Sequence, residues 1–228
     1  MKKRRLATIV IWGGVIISLI YFISQIGMPD KYGAIEYKLF QVDDNVRPLI
    51  AVFGGSEGGL AFADEKGKDF RDSVLAAGYH FASFAYFNTA NTPELIDRIS
   101  LDAIYDTLKS IGQQSFVDST RIVLLGTSRG GELVLNLAAN FHGFDAVVAV
   151  VPSSVTVPAR IGRNATSSWT LEQKQLPFLS FSTEAENLVK EEGFYDGMSL
   201  ALKGSNAESE IKVENIKSAN PPDFFYRR

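Results

Sequence analysis

A chain of 228 residues, 46% apolar and 21% charged, fits one medium globular domain plus an appendage. Its net charge of −3, with no basic stripe, excludes a nucleic-acid surface as the organising feature. The absence of cysteine excludes disulfides, thiolate metal sites and a cysteine nucleophile, and no residue pattern calls for a metal or a cofactor.

Lys2-Lys3-Arg4-Arg5 precedes an uncharged stretch from Leu6 to Met28. That is long enough to cross a bilayer core, which takes ~20 residues. A cleaved signal peptide has a shorter apolar core and small residues at its cut site, whereas Ser24-Gln25-Ile26-Gly27-Met28-Pro29 offers no such pattern. The expected organisation is therefore an uncleaved membrane anchor over residues 1–29 and a domain over 30–228. Residues 6–28 would contact lipid, and the four cations would stay cytoplasmic, leaving the domain on the outer (periplasmic or extracellular) side.

From Ile35 the pattern alternates between short apolar runs and amphipathic stretches. Strands are expected at Ile35–Val42 and Pro48–Phe53, a helix at Lys68–Ala77 closed by Gly78, and a strand at His80–Phe87. A helix over Leu95–Ile111 follows, then a strand at Arg121–Leu125, a helix at Gly130–Asn140 and a strand at Ala146–Val151. This alternation predicts an α/β fold with a mostly parallel sheet and helices on both faces. The runs Leu49–Phe53, Ile122–Leu125 and Val147–Val151 are continuously apolar, as strands buried on both faces should be. Beyond Pro152 the pattern loosens into a cap-like region over about 153–210. Within it Pro177–Phe181 reads as a strand or as part of the cap, and Leu200–Lys217 as a weak helix.

Gly126-Thr127-Ser128-Arg129-Gly130, set between an apolar strand and a helical pattern, has the layout of a nucleophile elbow. Its glycines belong where backbone segments come too close for a Cβ. Ser128 is the candidate nucleophile, and a serine hydroxyl needs partners to act as one. The backbone N–H of Arg129 is the first candidate donor to an oxyanion. Gly54-Gly55-Ser56-Glu57-Gly58-Gly59 follows an earlier strand, and Gly55 or Ser56 would supply the second; the plainer reading of this loop is a flexible strand-to-helix turn. It carries neither the G-K-[ST] ending nor the G-x-G-x-x-G spacing of a phosphate loop. The Arg129 side chain reads as solvent-facing or cleft-lining, and Glu132 as a first-turn acid favoured by the helix dipole, with no catalytic role.

Taken in order, Phe53-Gly54-Gly55-Ser56-Glu57-Gly58-Gly59, Leu75-Ala76-Ala77-Gly78-Tyr79, Phe84-Ala85-Tyr86-Phe87, Gly126 through Leu133 and Ala146 through Val155 form a distinctive set. Together they resemble the catalytic domain of the acyl-CoA thioester hydrolase and bile acid-CoA:amino acid N-acyltransferase family, from about Leu49 to Ile216. The resemblance implies an α/β-hydrolase fold and attack on a small-molecule acyl thioester or ester. It also implies hydrolysis rather than amino-acid transfer, because the transferring branch uses cysteine where this chain has Ser128. The expected membrane segment would stand where well-known members of that family carry an N-terminal β-sandwich domain.

The family's acid and histidine follow the cap, and here the resemblance thins out. Glu210 through Lys217 resembles the lead-in to the strand bearing the acid, and the sequence then ends within a dozen residues, with Asp223 in its tail. The sheet is thus expected to be incomplete at its C-terminal end. Neither histidine suits the missing role. His80 opens its strand at the sheet edge opposite the elbow. His142 follows the elbow helix some 14 residues on, ~20 Å away at 1.5 Å per residue, whereas a base must come within about 3 Å. Both are expected to be structural or surface residues. Two outcomes stay open: an acyl (thio)ester hydrolase, or an inactive or truncated relative that serves at most as a binding module.

Overall fold

The computed structural model describes residues 27–205 and 207–211. The anchor expected over residues 6–28 therefore lies almost wholly outside the described residues. Among those described, no helix is long and apolar enough to cross a membrane.

The sheet begins with β1 (Glu36–Phe40) and β2 (Arg47–Phe53), followed by helix α1 (Lys68–Ala76) and β3 (His80–Ala85). After a two-residue strand, β4 (Ile99–Ser100), come α2 (Leu101–Gly112), β5 (Val117–Thr127), α3 (Arg129–Asn140) and β6 (Ala146–Val150). Five strands lie in the order β1-β3-β2-β5-β6. The β3–β2, β2–β5 and β5–β6 pairs are parallel and β1–β3 is antiparallel. This is the expected α/β architecture.

Side-chain alternation along the strands divides the core. Leu49, Ala51, Phe53, Ala82, Phe84 and Leu124 pack with Ile104 and Leu108 of α2 and Leu133 and Leu137 of α3. Val52 and Phe81 face the other way, against Val74 of α1. Both faces are thus covered, and strands buried on both sides need the continuous apolar runs seen in β2 and β5. β6 departs from that expectation. Val150 is 44% exposed, and Val151 lies past the strand's end, 78% exposed with φ +47°.

The helix expected from Leu95 starts only at Leu101. Ile99 and Ser100 are drawn off into parallel pairing with Trp169 and Thr170. The Ser100 side chain then accepts from Ala103 N at 3.2 Å and caps the helix. No regular element forms over Pro177–Phe181. Short strands β7 (Pro158–Arg160), β8 (Thr166–Ser167), β9 (Trp169–Leu171) and β10 (Lys174–Gln175) occupy the first part of the cap-like region. They lead to α4 (Thr183–Glu191), which the sequence pattern did not single out, and to α5 (Phe194–Lys203), which begins well before the helix expected from Leu200. Val155, Leu179, Ala185 and Ala201 form a small apolar cluster beneath these two helices. Residues 212–217 of that expected helix lie outside the described residues.

Candidate active site

Ser128 sits at the junction of β5 and α3, with φ 52° and ψ −115°. A non-glycine residue holds that conformation only where the surrounding structure over-determines it, and here both flanks are fixed. The Ser128 N–H donates to Val150 O at 2.9 Å, and its carbonyl accepts from Glu132 N at 3.0 Å. A Cβ on Gly126 would collide with the Gly130 carbonyl, and one on Gly130 would collide with the carbonyls of Phe53 and Gly54. The two glycines thus let the chain reverse tightly while α3 presses against the end of β2. The Ser128 side chain makes no capping bond to its helix, and the residue is exposed.

The glycine loop arrives beside this turn by register. Phe53 pairs with Gly126, which carries Gly54 and Gly55 alongside Thr127 and Ser128. A Cβ on Gly55 would lie 3.1 Å from Ser128 Cβ and 3.3 Å from Thr127 O. The Tyr86 hydroxyl, 1% exposed, donates to Gly54 O at 2.8 Å. In a trans peptide the carbonyl and the next N–H point in opposite directions. Tyr86 therefore fixes the direction of the Gly55 N–H as well. That N–H is engaged: it donates to Glu57 Oε1 at 2.8 Å. Ser56 is exposed next to it. The Arg129 N–H is the first of α3, so it has no acceptor within the helix. The fold thus brings Gly55, Ser128 and Arg129 together. Glu57, a lone carboxylate among four glycines, and Tyr86, at the end of an aromatic strand, were visible signals that the residue pattern alone did not interpret.

The Arg129 side chain and Glu132 differ from expectation. The guanidinium turns inward, paired with the Glu132 carboxylate and with Ser168 Oγ, and its carbon lies 5.5 Å from the Trp169 ring centroid. Glu132 is fully buried and accepts from Trp169 Nε1 at 2.7 Å and Val157 N at 3.0 Å. Position in the first helical turn would have suited an exposed acid equally well. What buries this one is the 155–170 excursion laid over it. Burial pushes its carboxyl up to about 7 against the opposing pull of Arg129, Trp169 and Val157. The network ties the excursion to the helix that carries Ser128.

Both histidines lie away from the turn, as expected. His80 is fully buried; its Nδ1 accepts from Val42 N at 3.1 Å and its Nε2 faces Phe116 O at 3.0 Å. Those partners select the neutral Nε2–H tautomer. His80 is level with Leu49 and hence with Ile122; six residues of strand then separate it from Ser128, roughly 20 Å. His142 is exposed past the far end of α3, where its carbonyl accepts from Tyr105 Oη at 3.1 Å.

Residues 101–220, just over half the chain and including the whole elbow, match the family model described as BAAT / Acyl-CoA thioester hydrolase C terminal. The chain belongs to that family. Acyl-coenzyme A thioesterase 5 of Mus musculus is 28% identical to this member over 155 residues, covering 66% of this chain and 35% of that protein. Acyl-coenzyme A thioesterase 1 of Homo sapiens is 26% identical over 174 residues, covering 75% and 38%. This BAAT / acyl-CoA thioester hydrolase member thus spans little more than a third of the length of either relative. Among solved structures, a DcsB complex with its substrate analogue aligns over 75% of this chain and 50% of that one, at 19% identity and a TM-score of 0.48. The alpha/beta hydrolase GrgF from Penicillium sp. sh18 aligns over 78% and 61%, at 16% identity and a TM-score of 0.45.

Proposed function

We propose that this protein is an α/β-hydrolase that cleaves small-molecule acyl thioesters or esters through Ser128. The observation that carries the reading is the exposed Ser128, held at φ 52° directly against the Gly54-Gly55 loop. Its family membership and the acyl-coenzyme A thioesterases among its relatives support the substrate class. In this scheme Ser128 Oγ attacks the acyl carbonyl, and the carbonyl oxygen takes on negative charge. The Arg129 N–H and a loop N–H, from Gly55 or Ser56, receive that charge. Collapse breaks the C–S or C–O bond and expels the thiolate or alkoxide, the Ser128 proton passing through solvent water to that leaving group. A second water then hydrolyses the acyl-serine to the free acid and restores Ser128. Val150 and Val151, exposed at the end of the strand beside the elbow, offer apolar surface to an acyl chain.

Neither histidine reaches Ser128, so the acceptor of its proton is not one of them. The same observation supports a second reading, in which the protein keeps elbow and cleft but serves only to bind an acyl compound. Hydrolysis assays of the full chain with an acyl-CoA series and with p-nitrophenyl esters separate the two. Turnover that disappears in Ser128→Ala supports the hydrolase. Turnover retained by Ser128→Ala overturns it, and no turnover by folded protein favours the binding reading. The tetrabasic start and the uncharged stretch at 6–28 support attachment to a membrane with the domain on its outer side.

A further inference from the structure

The loop that should greet a substrate oxygen already holds a negative charge of its own. Glu57 Oε1 accepts the Gly55 N–H at 2.8 Å. Glu57 Oε2 lies 2.9 Å from where a Gly55 Cβ would stand, and Ser128 Cβ lies 3.1 Å from the same point. The carboxylate is thus in the immediate neighbourhood of the serine, on one of the two loop N–H groups that the reaction could draw on. A carboxylate and a developing oxyanion carry the same charge and cannot share one N–H.

We propose that Glu57 is a built-in cap on the oxyanion site, holding the Gly55 N–H in the resting protein and swinging away when an acyl carbonyl enters. This rests on the reading of Ser128 as nucleophile and deepens it, making Glu57 a positioning residue that acts through Gly55. The backbone on either side of the cap is held. Tyr86 fixes the Gly54 carbonyl, and Asn88 Nδ2 donates to Glu57 O at 3.0 Å. The Glu57 side chain is exposed, so it moves without disturbing that backbone. The cap gives an otherwise unpaired N–H a partner between turnovers, and its strength sets how readily the site opens. A charge-assisted hydrogen bond at an exposed position is strong enough to slow entry on the order of tenfold.

The test compares the second-order rate of labelling by a serine-directed fluorophosphonate in the full-length wild type, Glu57→Ala, Glu57→Gln and Ser128→Ala. Glu57→Ala should label about three- to tenfold faster, with Glu57→Gln between it and wild type, and Ser128→Ala should not label. Unchanged labelling in Glu57→Ala overturns the cap. Slower labelling also overturns it, by assigning Glu57 a proton-accepting role instead. If no variant labels, the nucleophile reading fails separately. The Gly55 amide resonance in 15N-glycine-labelled protein then decides the cap: an upfield move of its proton in Glu57→Ala supports it, and an unmoved proton overturns it.

Discussion

The Tyr86 hydroxyl donates to the Gly54 carbonyl at 2.8 Å, from a side chain only 1% exposed, and so sets the peptide plane that presents the Gly55 N–H beside Ser128. Burial raises the Tyr86 pKa well above the ordinary tyrosine value, so it stays a neutral donor across the working pH range. Tyr86→Phe keeps the ring and removes only the anchor. The expected result is a fall in kcat on the order of tenfold with KM nearly unchanged, since a fully lost oxyanion donor costs about 2.7–4 kcal/mol and a loosened one costs part of that. Stability should drop by about 1–3 kcal/mol, because the Gly54 carbonyl loses its partner. Steady-state kinetics and urea unfolding check both.

The elbow's tolerance to an added methyl group differs sharply along its length. Gly130→Ala drives a Cβ into the carbonyls of Phe53 and Gly54, where backbone would have to move. The expected outcome is loss of more than about 4 kcal/mol or failure to accumulate as folded protein. Gly131→Ala meets Pro152 Cβ and Val150 O at 3.2 Å and should cost much less. Denaturant midpoints of the two variants, compared with wild type, make the measurement. Equal losses would contradict the packing described.

Glu132 links stability to pH. Its carboxyl, fully buried under Trp169 and Val157, is pushed up to about 7 from 4.5 by burial, against the pull of Arg129. The folded state therefore holds a proton that the unfolded state has already released. This contribution is present in full below about pH 4.5 and is lost as pH rises through about 7. At about 1.4 kcal/mol per pKa unit, it is on the order of 3 kcal/mol. Glu132→Gln keeps the oxygen that Trp169 and Val157 donate to and removes the titration. Urea unfolding at pH 5 and pH 8 should show a smaller pH difference in the variant than in wild type.

How far the sequence carried the structure depends on the range of the determining contacts. The strand–turn–helix around Ser128, the glycine loop and the two-faced sheet were legible, because local glycine spacing and continuous apolar runs decide them. The helix expected from Leu95 begins only at Leu101, because Arg98, Ile99 and Ser100 bond and pair with the 167–170 segment, some seventy residues later in the chain. Glu132 and Arg129 were read from their places on a helix. What buries them is Val157, Ser168 and Trp169, and no pattern within one helix announces those partners. Glu57 stood in plain view, but only the fold shows its carboxylate turned back onto Gly55.

The most direct measurement of the central claim is peptide mapping after treatment of the folded full chain with a fluorophosphonate. The account predicts a single adduct on Ser128, abolished by Ser128→Ala while the variant's unfolding midpoint stays close to wild type. An adduct on another residue, or none on protein shown to be folded, would contradict it.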